Sequence, residues 1–315
     1  MVRALLALLA LLGLLALPLL AGCGASPGPL AEVPAPPPDG VGGEVPRQVP
    51  GEAEVPAAPA EVVDGPVSDT PPAENEAPQR LSCLTAAYPD AIRSVEARGG
   101  AWFVTFRDGR EVPWDDGRDK DSETRLTDPD LEDTVAQLYP VAGPFAPVAE
   151  GDEPGRARHP VLFANAYGDG ERAVRAHLVD VPWPSAAPAS VRFSSENGAA
   201  DALRAVIATL SELPAEARRC LEPPIGSFSY RQIRGTERLS GHAYGIAIDL
   251  NVSCGEYWRW QRPFRGLEDS RMAKAIVDAF EAEGFIWGGR WHHYDTFHFE
   301  YRPEFFAPAC QSEEP

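Results

Sequence analysis

Residues 23–80 contain no Phe, Trp or Tyr and are built largely from Pro, Ala, Glu, Val and Gly, as in Ala35-Pro36-Pro37-Pro38 and Val55-Pro56-Ala57-Ala58-Pro59. Such a segment cannot bury enough apolar surface to offset the entropy lost on ordering it. It reads as a disordered tether, and the folded body must come from the residues on its carboxyl side. A tether of this length spans roughly 45 Å as a flexible coil and well over 100 Å drawn out as polyproline. The 315 residues would by length allow two domains, but the tether shortens the folded part. At 44 % hydrophobic the remainder can still bury a core.

The 47 Asp and Glu outnumber the 28 Lys and Arg, for a net charge of −19. That balance excludes a duplex nucleic-acid partner, because neutralising phosphates needs a dense cationic face. Positive charge is nearly all Arg, with Lys120 and Lys274 the only lysines.

Met1-Val2-Arg3 precede an uncharged run from Ala4 to Gly22, which ends in Leu20-Ala21-Gly22-Cys23. One charge, an apolar stretch and small residues before a cleavage point describe an export signal over 1–22. A membrane-spanning helix has a similar length. The choice rests on Cys23, because Leu-Ala-Gly-Cys resembles the bacterial lipobox, in which the cysteine is lipidated and becomes the new amino terminus. The expectation is a cell-envelope protein held to the membrane by a lipid anchor alone. Gly24 in place of Asp points to the outer membrane in a host with two membranes.

Cys83, Cys220, Cys254 and Cys310 form no Cys-x-x-Cys pair. In an oxidising envelope an even count suggests two disulfides. Three connectivities are open, and a Cys254–Cys310 bridge is the one favoured.

Aromatic residues begin after Leu81. Ala101 to Phe106, then Arg107-Asp108-Gly109-Arg110, then Glu111 to Trp114 read as two strands around an Asp-Gly turn. Residues 115–130 are charged and turn-rich, hence loop. Leu203, Val206, Ile207, Leu210 and Leu213 have helical spacing, with Pro214 as a stop. A second helix is expected from Ser270 to Glu283, with Met272, Ile276, Val277 and Phe280 on one face and Gly284 ending it. Short strands and helices in mixed order suggest an α+β body.

Four of the six histidines lie in two stretches rich in Asp and aromatic residues. In Ser240-Gly241-His242-Ala243-Tyr244-Gly245-Ile246-Ala247-Ile248-Asp249, the isoleucines alternate onto one strand face and leave Asp249 on the other. On a straight strand His242 would stand about 23 Å from Asp249. Both can reach one metal only if the chain bends between them, and Gly241 and Gly245 permit a bend. In the second stretch Phe285-Ile286-Trp287 and His298-Phe299-Glu300-Tyr301 are short strands, Gly288-Gly289 break the first, and Asp295 and His298 stand at the mouth of the last. Two His, one Asp and an unattached acid fit a catalytic zinc site, where three protein ligands leave a position for water. Adjacent strand residues point apart, so His292 and His293 are left outside the site. Tyr244, Trp287, Trp291 and Tyr294 either wall a cleft or pack the core.

Together, Ser-x-His-x-x-Gly-x-Ala-x-Asp and Asp-x-x-His-Phe-Glu resemble the zinc D-alanyl-D-alanine carboxypeptidases of the VanY type and the related L-alanyl-D-glutamate endopeptidases. The likeness runs through Phe228 to Leu239 and Gly284 to Glu304. The resemblance implies a small antiparallel sheet flanked by helices over 189–315, with 81–188 as an amino-terminal extension. It implies one zinc on His242, Asp249 and His298, with Asp295 as general base and acid. Arg231 would hold the peptide's carboxylate or the oxyanion, with Arg234 and Arg238 as competitors. Ser240, Arg238 and Tyr244 are candidate substrate-binding residues, and Glu300 would orient His298. The implied substrate is the peptidoglycan stem peptide. Release of terminal D-Ala is the leading reaction; D,D-dipeptide hydrolysis, L-Ala/D-Glu cleavage and non-catalytic wall binding are the alternatives.

Overall fold

A computed structural model describes residues 77–146, 148–185, 189–222, 226–260, 270–307 and 310–311. The expected signal, Cys23 and the tether up to residue 76 lie outside the described residues. Among the described residues no helix is long and apolar enough to cross a membrane.

The fold is built from short elements: α1 (Gln79–Ala87), β1 (Ile92–Arg98), β2 (Ala101–Phe106), β3 (Glu111–Pro113), α2 (Ser122–Thr127), α3 (Pro160–Tyr167), α4 (Glu171–Ala176), β4 (Leu178–Trp183) and β5 (Ala189–Ser194). Next in the chain come α5 (Ala199–Ser211), α6 (Ala215–Arg218), β6 (Ala247–Asp249), α7 (Lys274–Glu281), β7 (Phe285–Trp287) and β8 (His298–Tyr301). The strands form three antiparallel sheets, ordered β1-β2-β3, β4-β5 and β6-β8-β7. This mixture of helices and small antiparallel sheets is the α+β body expected.

The Asp108-Gly109 hairpin pairs Val104 with Val112, and Gly109 takes φ +87°. β1 extends this sheet through a two-residue Gly99-Gly100 turn with φ +60° and +82°, the conformation that joins twisted strands without splaying them. Only Ile92 of β1 is buried, which explains why no apolar alternation announces it. Within 115–130, expected to be loop, Asp121 caps α2 by accepting from Thr124 N at 2.7 Å, so turn chemistry there starts a short helix. α5 buries Leu203, Val206 and Leu210. α7 is shorter than expected, yet Met272, Ile276, Val277 and Phe280 are all buried.

The boundary drawn at 188/189 runs between the paired strands β4 and β5, and the described residues on its two sides belong to one compact unit. Buried polar groups join the extension to the remainder. Tyr139 donates to Glu281 at 2.7 Å and accepts from Trp287 N at 2.8 Å; Tyr88 donates to Glu304 at 2.8 Å. The fully buried Arg302 pairs with Glu304 and donates to the carbonyls of Gly155, Thr134 and Ala157. A guanidinium without solvent needs every donor satisfied, and here the extension supplies the acceptors.

The disulfides are Cys83–Cys310 and Cys220–Cys254, with Cα–Cα distances of 5.7 and 5.6 Å. This corrects the expected Cys254–Cys310 bridge. Asn251 N donates to Cys220 O at 3.0 Å, placing Cys220 beside the turn that carries Cys254, while Cys310 at the carboxyl end meets Cys83 on α1.

Candidate metal centre

β6 and β8 pair so that Asp249 faces His298 and Ala247 faces Glu300. Because side chains alternate along a strand, His298 and Glu300 share a face. His242 reaches the same point through the bend the glycines allow. Gly241–Tyr244 form a single helical turn, Ser240 Oγ caps it by accepting from His242 N at 3.4 Å, and Gly245 at φ +70° turns the chain into β6. Gly241 is also needed for space, since a Cβ there would stand 2.4 Å from Glu300 Oε2.

His242 Nε2 lies 3.1 Å and His298 Nδ1 3.0 Å from the same oxygen, Asp249 Oδ1. The other nitrogens fix the tautomers. His242 Nδ1 is 2.6 Å from the Ser227 carbonyl, which can only accept, and His298 Nε2 is 3.3 Å from the Glu300 carboxylate. With the protons on those outer nitrogens, two imidazole lone pairs converge on a carboxylate with no hydrogen between them. All three ligand atoms lie within 4.8 Å of one another. Such a set can hold a divalent metal, with outer partners orienting each imidazole.

Without the ion, protons substitute for it. Burial acts to lower the His298 pKa, but its bonds to Asp249 and Glu300 outweigh this and lift it to about 9. Burial would raise Asp249, yet His242 and His298 hold it well below the usual carboxylate range. Glu300, also buried, is held low by the Arg158 guanidinium, which grips both its oxygens, with Nε at 2.6 Å from Oε1. Asp295 goes the other way: burial, then the Asp249 charge, push it up to about 8. Its Oδ1 is buried with no hydrogen-bond partner. The turn that places it is closed by His298 N donating to Asp295 O at 3.1 Å.

His242, Asp249, Asp295 and His298 line a cavity of about 120 Å³, with Arg231, Ser240 and Trp291 also in its wall, while Glu300 lies buried behind His298. Other expected residues lie elsewhere. Tyr244 is buried against Phe163 and Tyr167, with ring centroids at 5.4 and 6.5 Å, so it packs the core instead of meeting substrate. Arg238 is absent from the wall and donates to Arg156 O at 3.5 Å; Arg234 and Tyr294 are absent from it as well. Trp287 is fully buried and donates to Thr296 O at 2.8 Å. His293, set aside on the assumption of a strand, lines the cavity because residues 291–293 form bends. Its Nδ1 bonds the buried Glu153.

Sequence reasoning missed Arg156, Arg158 and Tyr257, which complete the wall together with Ile233. The two arginines come from the extension, which is stitched to the site. Trp291 Nε1 donates to Pro154 O at 2.8 Å and His292 N to Asp152 O at 2.7 Å. Arg156-Ala157-Arg158 in an acid-rich chain was the available signal.

Residues 234–301 match the family model described as D-alanyl-D-alanine carboxypeptidase. The match supports a D-alanyl-D-alanine carboxypeptidase-like peptidase family, and the matched span contains His242, Asp249, Asp295 and His298. No curated protein and no solved structure matches the chain.

Proposed function

We propose that this chain is a zinc-dependent peptidase of the cell envelope, anchored through a lipidated Cys23, that removes terminal D-Ala from peptidoglycan stem peptides. The observation that carries the reading is the convergence of His242 Nε2 and His298 Nδ1 on one oxygen of Asp249, beside the buried Asp295 Oδ1 that has no hydrogen-bond partner. His242, Asp249 and His298 would hold the zinc, whose Lewis acidity acidifies water and polarises a carbonyl. Asp295 accepts the proton of the attacking water and returns it to the leaving amine. Arg231 lines the cavity with no ion-pair partner among the described residues, and it is the candidate to hold the peptide's terminal carboxylate. Ser240 holds the His242 turn in place.

Digestion of purified muropeptides by the zinc-loaded protein, with products weighed by mass spectrometry, tests the reading. Loss of a single terminal alanine is expected. Release of a dipeptide or a break between L-Ala and D-Glu would transfer the activity to the related peptidases, and binding without turnover would make the chain a wall-binding lipoprotein.

Proton competition gives a second test. A proton held at His298 with a pKa near 9 must leave before Nδ1 can ligate. The apparent zinc affinity should therefore rise with pH, by about tenfold per unit between pH 6 and 8, as chelator competition would measure. A flat profile would remove His298 from the ligand set.

A further inference from the structure

Three arginines line the cavity, Arg156, Arg158 and Arg231, in a protein of net charge −19. Their surroundings separate their roles. Arg158 is committed: Nε and Nη2 grip Glu300, and Nη1 donates to Arg156 O at 3.2 Å. Arg231 is exposed and has no ion-pair partner among the described residues.

Arg156 is intermediate. Its Nη1 lies 2.9 Å from Glu153 Oε1, its guanidinium carbon lies 5.6 Å from the centre of the Trp291 ring, and its side chain keeps 18 % exposure. Glu153 is itself fixed, because the same Oε1 takes the backbone N–H of His293 at 3.2 Å and its Nδ1. One carboxylate and one indole thus hold the guanidinium in place, while its other N–H groups have no acceptor among the described residues. An arginine fork held in advance loses little entropy when it meets a carboxylate. Arg156 and Arg231 come from segments far apart in sequence, yet both line the cavity that holds Asp295, so both stand near the reacting position. A peptide has one terminal carboxylate and can satisfy one of them.

We propose that Arg156 is a second carboxylate-binding residue, which selects peptides carrying an anionic side chain upstream of the scissile bond in addition to the terminal carboxylate. This rests on the peptidase function proposed for the site and specifies its substrate class. Arg156 belongs to the extension, so that segment contributes specificity as well as structure.

The test uses the zinc-loaded full chain and two synthetic peptides ending in D-Ala-D-Ala, identical except that the upstream side-chain carboxylates are free in one and amidated in the other. Wild type should favour the free form by about tenfold or more in kcat/KM, mainly through KM, as expected for one charge-assisted pair. Arg156→Gln should collapse that ratio towards one, and Arg156→Lys should restore part of it. Zinc content and circular dichroism of each variant report whether the site is intact. Equal rates in wild type, a ratio that survives R156Q, or equal loss on both peptides would overturn the proposal, the last by showing that Arg156 only supports Glu153 and His293. If wild type with its zinc cleaves neither peptide, the carboxypeptidase reading itself fails and this inference with it.

Discussion

Asp295→Ala is expected to lower kcat/KM by a factor of about 10² to 10⁴ while leaving one zinc per chain. The size follows from removing a positioned proton-transfer group. Retention of metal follows from the geometry, because the three convergent ligand atoms belong to His242, Asp249 and His298, and Asp295 is not among them. Its Oδ1 is buried without a partner, so alanine removes a costly desolvated group and leaves no neighbour unsatisfied. The fold should survive, with a melting temperature equal to or above that of wild type. Metal content by elemental analysis and hydrolysis of a D-Ala-D-Ala peptide decide the matter together. Loss of zinc in this variant would make Asp295 a ligand and contradict the assignment.

His298→Ala should lose the metal itself. His298 Nδ1 supplies one of three ligand atoms, and Glu300 fixes its ring through Nε2 at 3.3 Å. Outer partners of metal-binding histidines are commonly worth 10- to 100-fold in affinity, so deleting the ligand should cost at least about 100-fold, with activity falling in step. Glu300 keeps its bond to Arg158 in the variant, so the buried carboxylate remains paired and the sheet should hold. A His298→Ala protein that binds stoichiometric zinc at wild-type affinity would place the ligand elsewhere.

The site was legible in the sequence where its geometry is local. His298 and Glu300 share a strand face because they are two apart, Asp295 reaches the site because it opens a turn three residues before His298, and Gly241 and Gly245 announce the bend that returns His242 to Asp249. Periodicity likewise located the cores of α5 and α7. Where the local premise failed, the reading failed with it: His293 sits in a bend, not a strand, and Tyr244 occupies a helical turn whose face meets Phe163 and Tyr167.

The extension shows the limit most clearly. Nothing within 152–158 indicates that Arg158 will grip Glu300, that Gly155 will accept from Arg302, or that Glu153 will bind His293. The disulfides obey the same rule, since Cys83 and Cys310 are 227 residues apart.

The order of residues was enough to locate the candidate metal centre: two histidines and two aspartates at spacings that strands and turns bring together as three convergent donors and a neighbouring acid. Which cations surround that set was settled in three dimensions. A contact between residues more than a hundred positions apart depends on how the core packs, and side-chain periodicity carries information about neighbours a few residues away.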